Sequence, residues 1–414
     1  MNSPTHRRGT DITGIPLAMS VSRRSFLKNT AGAIAVTAAG GLLPAIVKGE
    51  SMKDQRTNVA SPSAPRFAYV GCYTTKERNG HGKGLAVYRI DPVSREWTQS
   101  QTYEIVNPSF LAFDRNRRFL YTVHGDETFV SAFSLDQGGQ IRLVNQQTSG
   151  GKNAVHLSVD PSNRFLLIAN YSSGTLAVFP INPDGSLGVF CDQVSLPGTP
   201  GPHKTEQTAS HPHDIPFDPA GRFVVVPDKG LDKVFVFRFD ASTGKLIPAT
   251  PPSVATRSGA GPRHVGFHPT KPVAYVINEL DSSVTTYRYD SERGTLQPVQ
   301  IVPALPTTFT GDSVCAEIVV SPSGKFVYGS NRGHDSITIF GVDDVAGTLT
   351  PIGWEPTQGK TPRFITIDPT GDYLYAANQD SDIIVTFRVN HQTGKLIPTG
   401  QVIRTGSPCC ILFV

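Results

Sequence analysis

One pattern returns six times along this chain, and it leaves few folds open. A short β-run ends at Asp114, Asp160, Asp218, His268, Ser321 and Asp368, at spacings of 46 to 58 residues. The spacing predicts first strands that begin at Phe110, His156, Asp214, His264, Glu317 and Phe364. A second run follows each and closes at His124, Asn170, Asp228, Asn278, Asn331 and Asn378. A third run comes next, as around Val284 and Ile337. Then come a Gly turn, such as Thr243-Gly244-Lys245-Leu246, and a fourth short run. Four β-runs in roughly 50 residues, with turn chemistry between them, make one propeller blade. No helical period of useful length interrupts them.

Six full units run from about residue 107 to 406. A seventh, near 67–106, lacks its first strand. The C-terminal run Ser407-Pro408-Cys409-Cys410-Ile411-Leu412-Phe413 matches Thr361 to Ile367 and supplies it. The expected fold is therefore an all-β, seven-bladed propeller of four-stranded blades over residues 66–414. The C-terminal strand joins the first blade and closes the ring, which removes exposed sheet edges. A WD repeat is disfavoured, because Trp97 precedes Thr98 and Trp354 precedes Glu355. Apolar residues at 38% against 17% charged supply a packed core rather than a disordered chain.

The chain ahead of the propeller reads differently. Ser22-Arg23-Arg24-Ser25-Phe26-Leu27-Lys28 resembles a twin-arginine export signal, and a mild Ala/Gly-rich apolar run follows from Ala31 to Val47. Residues 1–50 are read as this signal and 51–65 as a polar linker. The implied location is exported and periplasmic, or membrane-anchored if the leader stays on. The implied partner is the twin-arginine machinery. Of the formal charge of +4, all sits in the first fifty residues, which carry six basic and two acidic side chains. The body is formally neutral, so nucleic-acid binding is not expected, and a monomer is. The five cysteines include no C-x-x-C. Cys72, Cys409 and Cys410 should be neighbours in the first blade, a placement that allows a disulfide from Cys72 to one of the others.

Chemistry should gather where inner strands start and second strands end, since a hairpin brings both to one face of the disc. The start column is Ser109, Val155, His213, Arg263, Ala316, Arg363 and Cys409. The next is Phe110, His156, Asp214, His264, Glu317, Phe364 and Cys410. After the second strands stand Gly125, Tyr171, Lys229, Glu279, Arg332 and Gln379, with His334 close by. The repeating Asn residues read as framework that bonds backbone at a turn. The variable, charged columns read as a site. Arg263, Arg332, Arg363 and Lys229 suit an anion. His156, His213 and His264 titrate near neutrality. Glu279 serves either as a general base on water or as an ion-pair partner, and Glu317 lies beside it. His203, His211 and His213 lack a carboxylate at metal-binding spacing, so neither metal nor cofactor is expected. No Gly-x-Ser-x-Gly elbow or P-loop occurs. The Pro/Gly-rich insert at 196–210 either overhangs the same mouth or is an ordinary loop.

The segments Ser210-His211-Pro212-His213-Asp214, Gly261-Pro262-Arg263-His264, Asn278-Glu279-Leu280, Ser330 to Asp335, Thr361-Pro362-Arg363 and Asn378-Gln379-Asp380 resemble the seven-bladed propeller lactonase family. That family includes propeller-type 6-phosphogluconolactonases and, more distantly, carboxy-cis,cis-muconate cyclases. The resemblance implies hydrolysis of a sugar lactone without a metal. It implies His156, His213, Arg263, Glu279 and Arg332 at the channel mouth. Together with the column reading, this gives His156, His213, Arg263 and Glu279 as the expected catalytic residues, and Arg332, His264, Arg363, Lys229, His334 and Glu317 as the expected substrate-binding ones. The substrate would be a small anionic or polyhydroxylated lactone, phosphorylated or not. A lactonising enzyme acting on a dicarboxylate and an exported binding module are the competing expectations. His124-Gly125 and Val155 depart from the family's pattern.

Overall fold

The computed structural model describes residues 64–414. The leader, with the expected export signal, and residues 51–63 of the linker lie outside the described residues. Seven antiparallel sheets follow one another along the chain, six of four strands and one of three. Two short 3-10 turns, Lys76–Arg78 and Gln379–Ser381, are the only helical elements described.

Blade 1 contains Phe67–Cys72, Leu85–Ile90 and Trp97–Tyr103, and Pro408–Phe413 completes it. The closing register pairs Ala68 with Phe413, Tyr69 with Leu412 and Val70 with Ile411. The ring thus closes on backbone hydrogen bonds and buried apolar side chains. The five cysteines are free thiols. Cys72 Sγ donates to Gly84 O at 2.9 Å, whereas Cys409 Sγ donates to Ser109 O at 3.3 Å. A register break sets Cys72 opposite Pro408. The two sulfurs line different cavities, so the allowed disulfide does not form.

The repeated residues have a physical role. Asp160 Oδ1 accepts the amides of Arg164 and Phe165, both at 2.7 Å, and Asp114 and Asp218 repeat this arrangement. The aspartate therefore ties the turn between first and second strands. The second-strand tyrosines reach into the next blade. Tyr69, Tyr121, Tyr275 and Tyr328 donate to the carbonyls of Gly139, Gly185, Gly347 and Gly394 at 2.8–3.1 Å. Gly347 has φ +71, and a Cβ there would meet Val273 Cγ2 at 2.8 Å, so the turn requires glycine. The Asn column divides. Asn378 bonds a backbone carbonyl, as expected; Asn170 and Asn331 bond both a backbone carbonyl and third-strand hydroxyls, and Asn278 bonds third-strand hydroxyls.

Blade 4 departs from the expected pattern. No regular inner strand forms at Asp214–Asp218; only the isolated bridges Pro212 to Asp228 and Phe217 to Val224 remain. Pro212 and Pro216 have no N–H to give to a ladder. The irregular segment carries His213 and Asp214.

The inner strands share one further feature. Their ladder slips between Pro108 and Phe110, Ala154 and His156, Pro262 and His264, and Pro362 and Phe364. Each slip is a β-bulge that leaves Ser109, Val155, Arg263 or Arg363 unpaired. The chain enters all four of these strands through a positive-φ residue two places before the unpaired one: Asn107 (φ 38), Asn153 (φ 55), Gly261 (φ 64) and Thr361 (φ 59). In a regular strand, neighbouring side chains point to opposite faces. Here Ser109 with Phe110, Arg263 with His264, and Arg363 with Phe364 line one and the same cavity.

Candidate active site

A cavity of about 500 Å³ opens among Val155, Tyr171, His213, Lys229, Glu279, Arg332 and Arg363, with His203 and Glu206 from the 196–210 insert. Below it, a recess of about 10 Å³ lies among Ser109, His213, Arg263, His264, Glu317 and Arg363. His213, Arg363 and Val155 line both. The insert therefore borders the mouth. It is tied down there, since Gln207 Nε2 donates to Lys229 O and Asp232 Oδ1, both at 2.8 Å.

Glu279 sits at the centre of a set of cations. Its Oε1 lies 2.8 Å from Lys229 Nζ, and its Oε2 lies 3.0 Å from Arg263 Nε and 3.1 Å from Arg332 Nη2. Burial would raise its carboxyl. Arg332, Lys229 and Arg263 outweigh burial and hold it well below the usual carboxylate range. A carboxylate held this way accepts a proton poorly, so the geometry opposes the expected general-base role for Glu279 and favours the ion-pair role. Burial also works against the charge of Lys229, but Glu279, Tyr171 and Glu206 keep it protonated. Burial and Arg363 bring Arg263 down to about 10, so it remains a cation at neutral pH.

Arg363 differs from these. Its guanidinium lies 5.4 Å from the Tyr73 ring centre and, among the described residues, forms no ion pair. Arg78 at the rim is neutralised by a bidentate pair with Asp126. Arg363 is thus the cation left to meet a ligand at both levels of the cavity.

The imidazoles form two groups. His213 Nδ1 lies 3.2 Å from His264 Nε2, and His264 Nδ1 lies 2.8 Å from Glu317 Oε1. His156 belongs instead to Asp214, with Nε2 3.0 Å from Oδ1, and packs on Phe110 at 4.2 Å between ring centres. It lines neither the main cavity nor the recess, so His156 is displaced from the expected catalytic set. Burial, followed by neighbouring cationic or imidazole groups, pushes all three imidazoles well below their ordinary value. They are neutral near pH 7. Burial raises Glu317 to about 8 and Asp214 well above the carboxylate range.

His334 also leaves the expected set. Its Nδ1 bonds Ser336 Oγ at 2.6 Å and its ring packs on Phe309, away from the cavity. The residue follows Gly333 (φ 103), which carries the chain away from the mouth. Of the ten expected site residues, the structure brings eight together and sets His156 and His334 apart. Sequence reasoning gave no site role to Tyr171, Glu206, Tyr73 or Arg78. Tyr171 stands in the same column as Lys229 and Glu279, and Tyr73, directly after Cys72, holds that position in blade 1, so the column did carry their signal. Glu206 and Arg78 come from loops outside the repeat.

Comparison with known proteins agrees with this architecture. The family model described as "Lactonase, 7-bladed beta-propeller" matches residues 67–413. A 6-phosphogluconolactonase of Bacillus subtilis is 35% identical over 301 residues, covering 72% of this chain and 83% of the relative. A 6-phosphogluconolactonase of Formosa agariphila is 34% identical over 309 residues, covering 71% and 84%. The solved structure of a periplasmic gluconolactonase from Pseudomonas aeruginosa superposes with a TM-score of 0.77 at 28% identity, covering 84% of this chain and 98% of that one. With the model matched across almost the whole propeller, the chain belongs to the seven-bladed β-propeller lactonase family.

Proposed function

We propose that this protein hydrolyses a sugar lactone to the open-chain acid, with His213 as the base and Arg363 as the main electrophilic group. The observation that carries the reading is one cavity that holds an unpaired arginine beside a neutral imidazole. His213 uses Nδ1 toward His264, which leaves Nε2 for the cavity. Nε2 takes a proton from water while the water oxygen bonds to the lactone carbonyl carbon. Arg363, with Arg263 in the recess, faces the oxygen on which negative charge develops. The ring C–O bond then breaks, and the proton on Nε2 passes to the departing ring oxygen. Lys229, Glu279 and Arg332 form a fixed electrostatic frame around this step. His156 and His334 take no part in it. The names of two 6-phosphogluconolactonases and a periplasmic gluconolactonase among the relatives favour hydrolysis over the lactonising and binding-module readings.

The test is acid release in a pH-stat from fresh gluconolactone and its 6-phosphate. Turnover well above the buffer rate, lost in His213→Gln, is the expected outcome and ranks the two substrates. Rates equal to buffer on both would sink the reading.

We read the leader as an export signal and the protein as a periplasmic monomer. The resemblance of Ser22–Lys28 to a twin-arginine signal supports export, as does the likeness to a periplasmic gluconolactonase. Replacing Arg23 and Arg24 together by Lys should trap the protein in the cytoplasmic fraction. An unchanged distribution would refute export by this route.

A further inference from the structure

The mechanism above uses His213 but not the two buried groups behind it. His264 is 3% exposed and Glu317 is 7% exposed, and both lie at the recess end of the cavity. Their hydrogen bonds run in one direction. Glu317 Oε1 accepts the amide of Ile318 at 3.0 Å, so it faces its neighbours as an acceptor. His264 Nδ1, 2.8 Å from that oxygen, is then the donor. A neutral imidazole that donates from Nδ1 can only accept at Nε2. His264 Nε2 therefore accepts from His213 Nδ1 at 3.2 Å. One acceptor fixed by the backbone thus sets two tautomers in turn, and His213 is left with its lone pair on Nε2.

We propose that Glu317 and His264 are positioning residues: they hold His213 in the tautomer whose Nε2 faces the cavity, and they take up part of the charge when His213 is protonated. The inference rests on the reading of His213 as the base. The need for such support comes from what surrounds the ring. Arg263, Arg363 and Lys229 face it as cations, His264 and Tyr171 as neutral groups. A protonated His213 would stand among three positive charges. Glu317 is the acidic group joined to it through a hydrogen-bonded partner. Its Oε2 is buried with no partner of its own, so the carboxyl keeps its proton in place and acts through Oε1, whose hydrogen bond from His264 Nδ1 strengthens as charge develops on the imidazole pair. Asp214 and His156, the acid and imidazole of the two preceding blades, are paired with each other instead.

The test uses the full chain, with gluconolactone as probe and ¹⁵N-labelled histidine. In the wild type, the His213 ring should appear as a single tautomer, protonated at Nδ1. His264→Phe should turn it into a tautomer mixture and lower kcat about 10- to 100-fold, with KM little changed, as removal of an orienting partner does elsewhere. Glu317→Gln keeps the shape and an acceptor oxygen. It should preserve the tautomer but shift the pH–kcat profile, because the titrating carboxyl is gone. Circular dichroism and thermal melting keep a folding failure apart from either effect. If His213→Gln abolishes turnover while both partner variants keep the wild-type tautomer, kcat and pH profile, the proposal is overturned and the base reading stands. If His213→Gln retains full turnover, the base reading fails and the proposal with it.

Discussion

Glu279→Gln is the most informative single change outside the imidazole chain. It keeps the shape of the side chain and removes one negative charge from among Lys229, Arg263 and Arg332, which lie 2.8, 3.0 and 3.1 Å away. Removing one partner of a buried ion pair costs about 3–5 kcal/mol, because the other charges stay buried without compensation. Lys229, Glu279 and Arg332 line an open cavity rather than a closed core, so the lower end applies, about 3 kcal/mol. With an unfolding entropy of about 2.1 cal/mol/K per residue over roughly 350 residues, that is a fall in Tm of about 4 °C. The pH dependence follows from the depressed carboxyl. A glutamate held below its unfolded value of about 4.3 stabilises the fold above that value and loses the contribution as pH falls through its folded value. The gap between wild type and variant should therefore be constant from pH 5 to 8 and shrink only below about pH 4. Scanning calorimetry across that range measures both. Inorganic phosphate should raise the Tm of the variant more than that of the wild type, since an anion can replace the missing charge. Equal Tm values at pH 7 without phosphate would refute the account of Glu279 as a structural counter-charge.

Three further outcomes follow from other parts of the molecule. Arg363→Ala should lower kcat about 10²- to 10³-fold on a gluconolactone substrate, the usual cost of losing an oxyanion partner, with little change in Tm; wild-type kcat would remove Arg363 from the chemistry. Gly261→Ala forces a side chain onto a residue at φ +64 and against Leu280 Cγ at 2.6 Å. It should cost about 1–2 kcal/mol from the left-handed backbone alone, and it should also lower activity, because the bulge it leads into aims Arg263. Unchanged stability by urea unfolding would contradict that strain. All five cysteines should be alkylated under denaturing conditions without reductant, giving five mass additions; three additions would show a disulfide that the hydrogen bonds of Cys72 and Cys409 do not predict.

Much of this molecule was legible in the chain itself. The period of about 50 residues specified blades, because a single blade cannot bury both faces and must stack on its neighbours. The match between Ser407–Phe413 and Thr361–Ile367 specified how the ring closes, since the missing strand of one unit stands at the far end of the chain. The columns at strand ends also marked Arg263, Lys229, Glu279 and Arg332, because a hairpin brings those ends together in any blade. Other features depended on three dimensions. A bulge is one residue of slip in hydrogen-bond register, and nothing in Pro362-Arg363-Phe364 by itself reveals that both side chains will face the channel. The irregular segment at His213 arises because Pro212 and Pro216 cannot complete a ladder, and that freedom turns His213 toward His264 of the next blade. The role of Glu279 was open until three cations from blades 4, 5 and 6 were seen to share its carboxylate. His156 and Asp214, on separate blades and 58 residues apart, pair because the ring brings neighbouring inner strands side by side at its centre. Sequence periodicity determines which residues reach the channel; the charge and protonation of each depend on neighbours from other blades, which only the closed ring brings within a few ångströms.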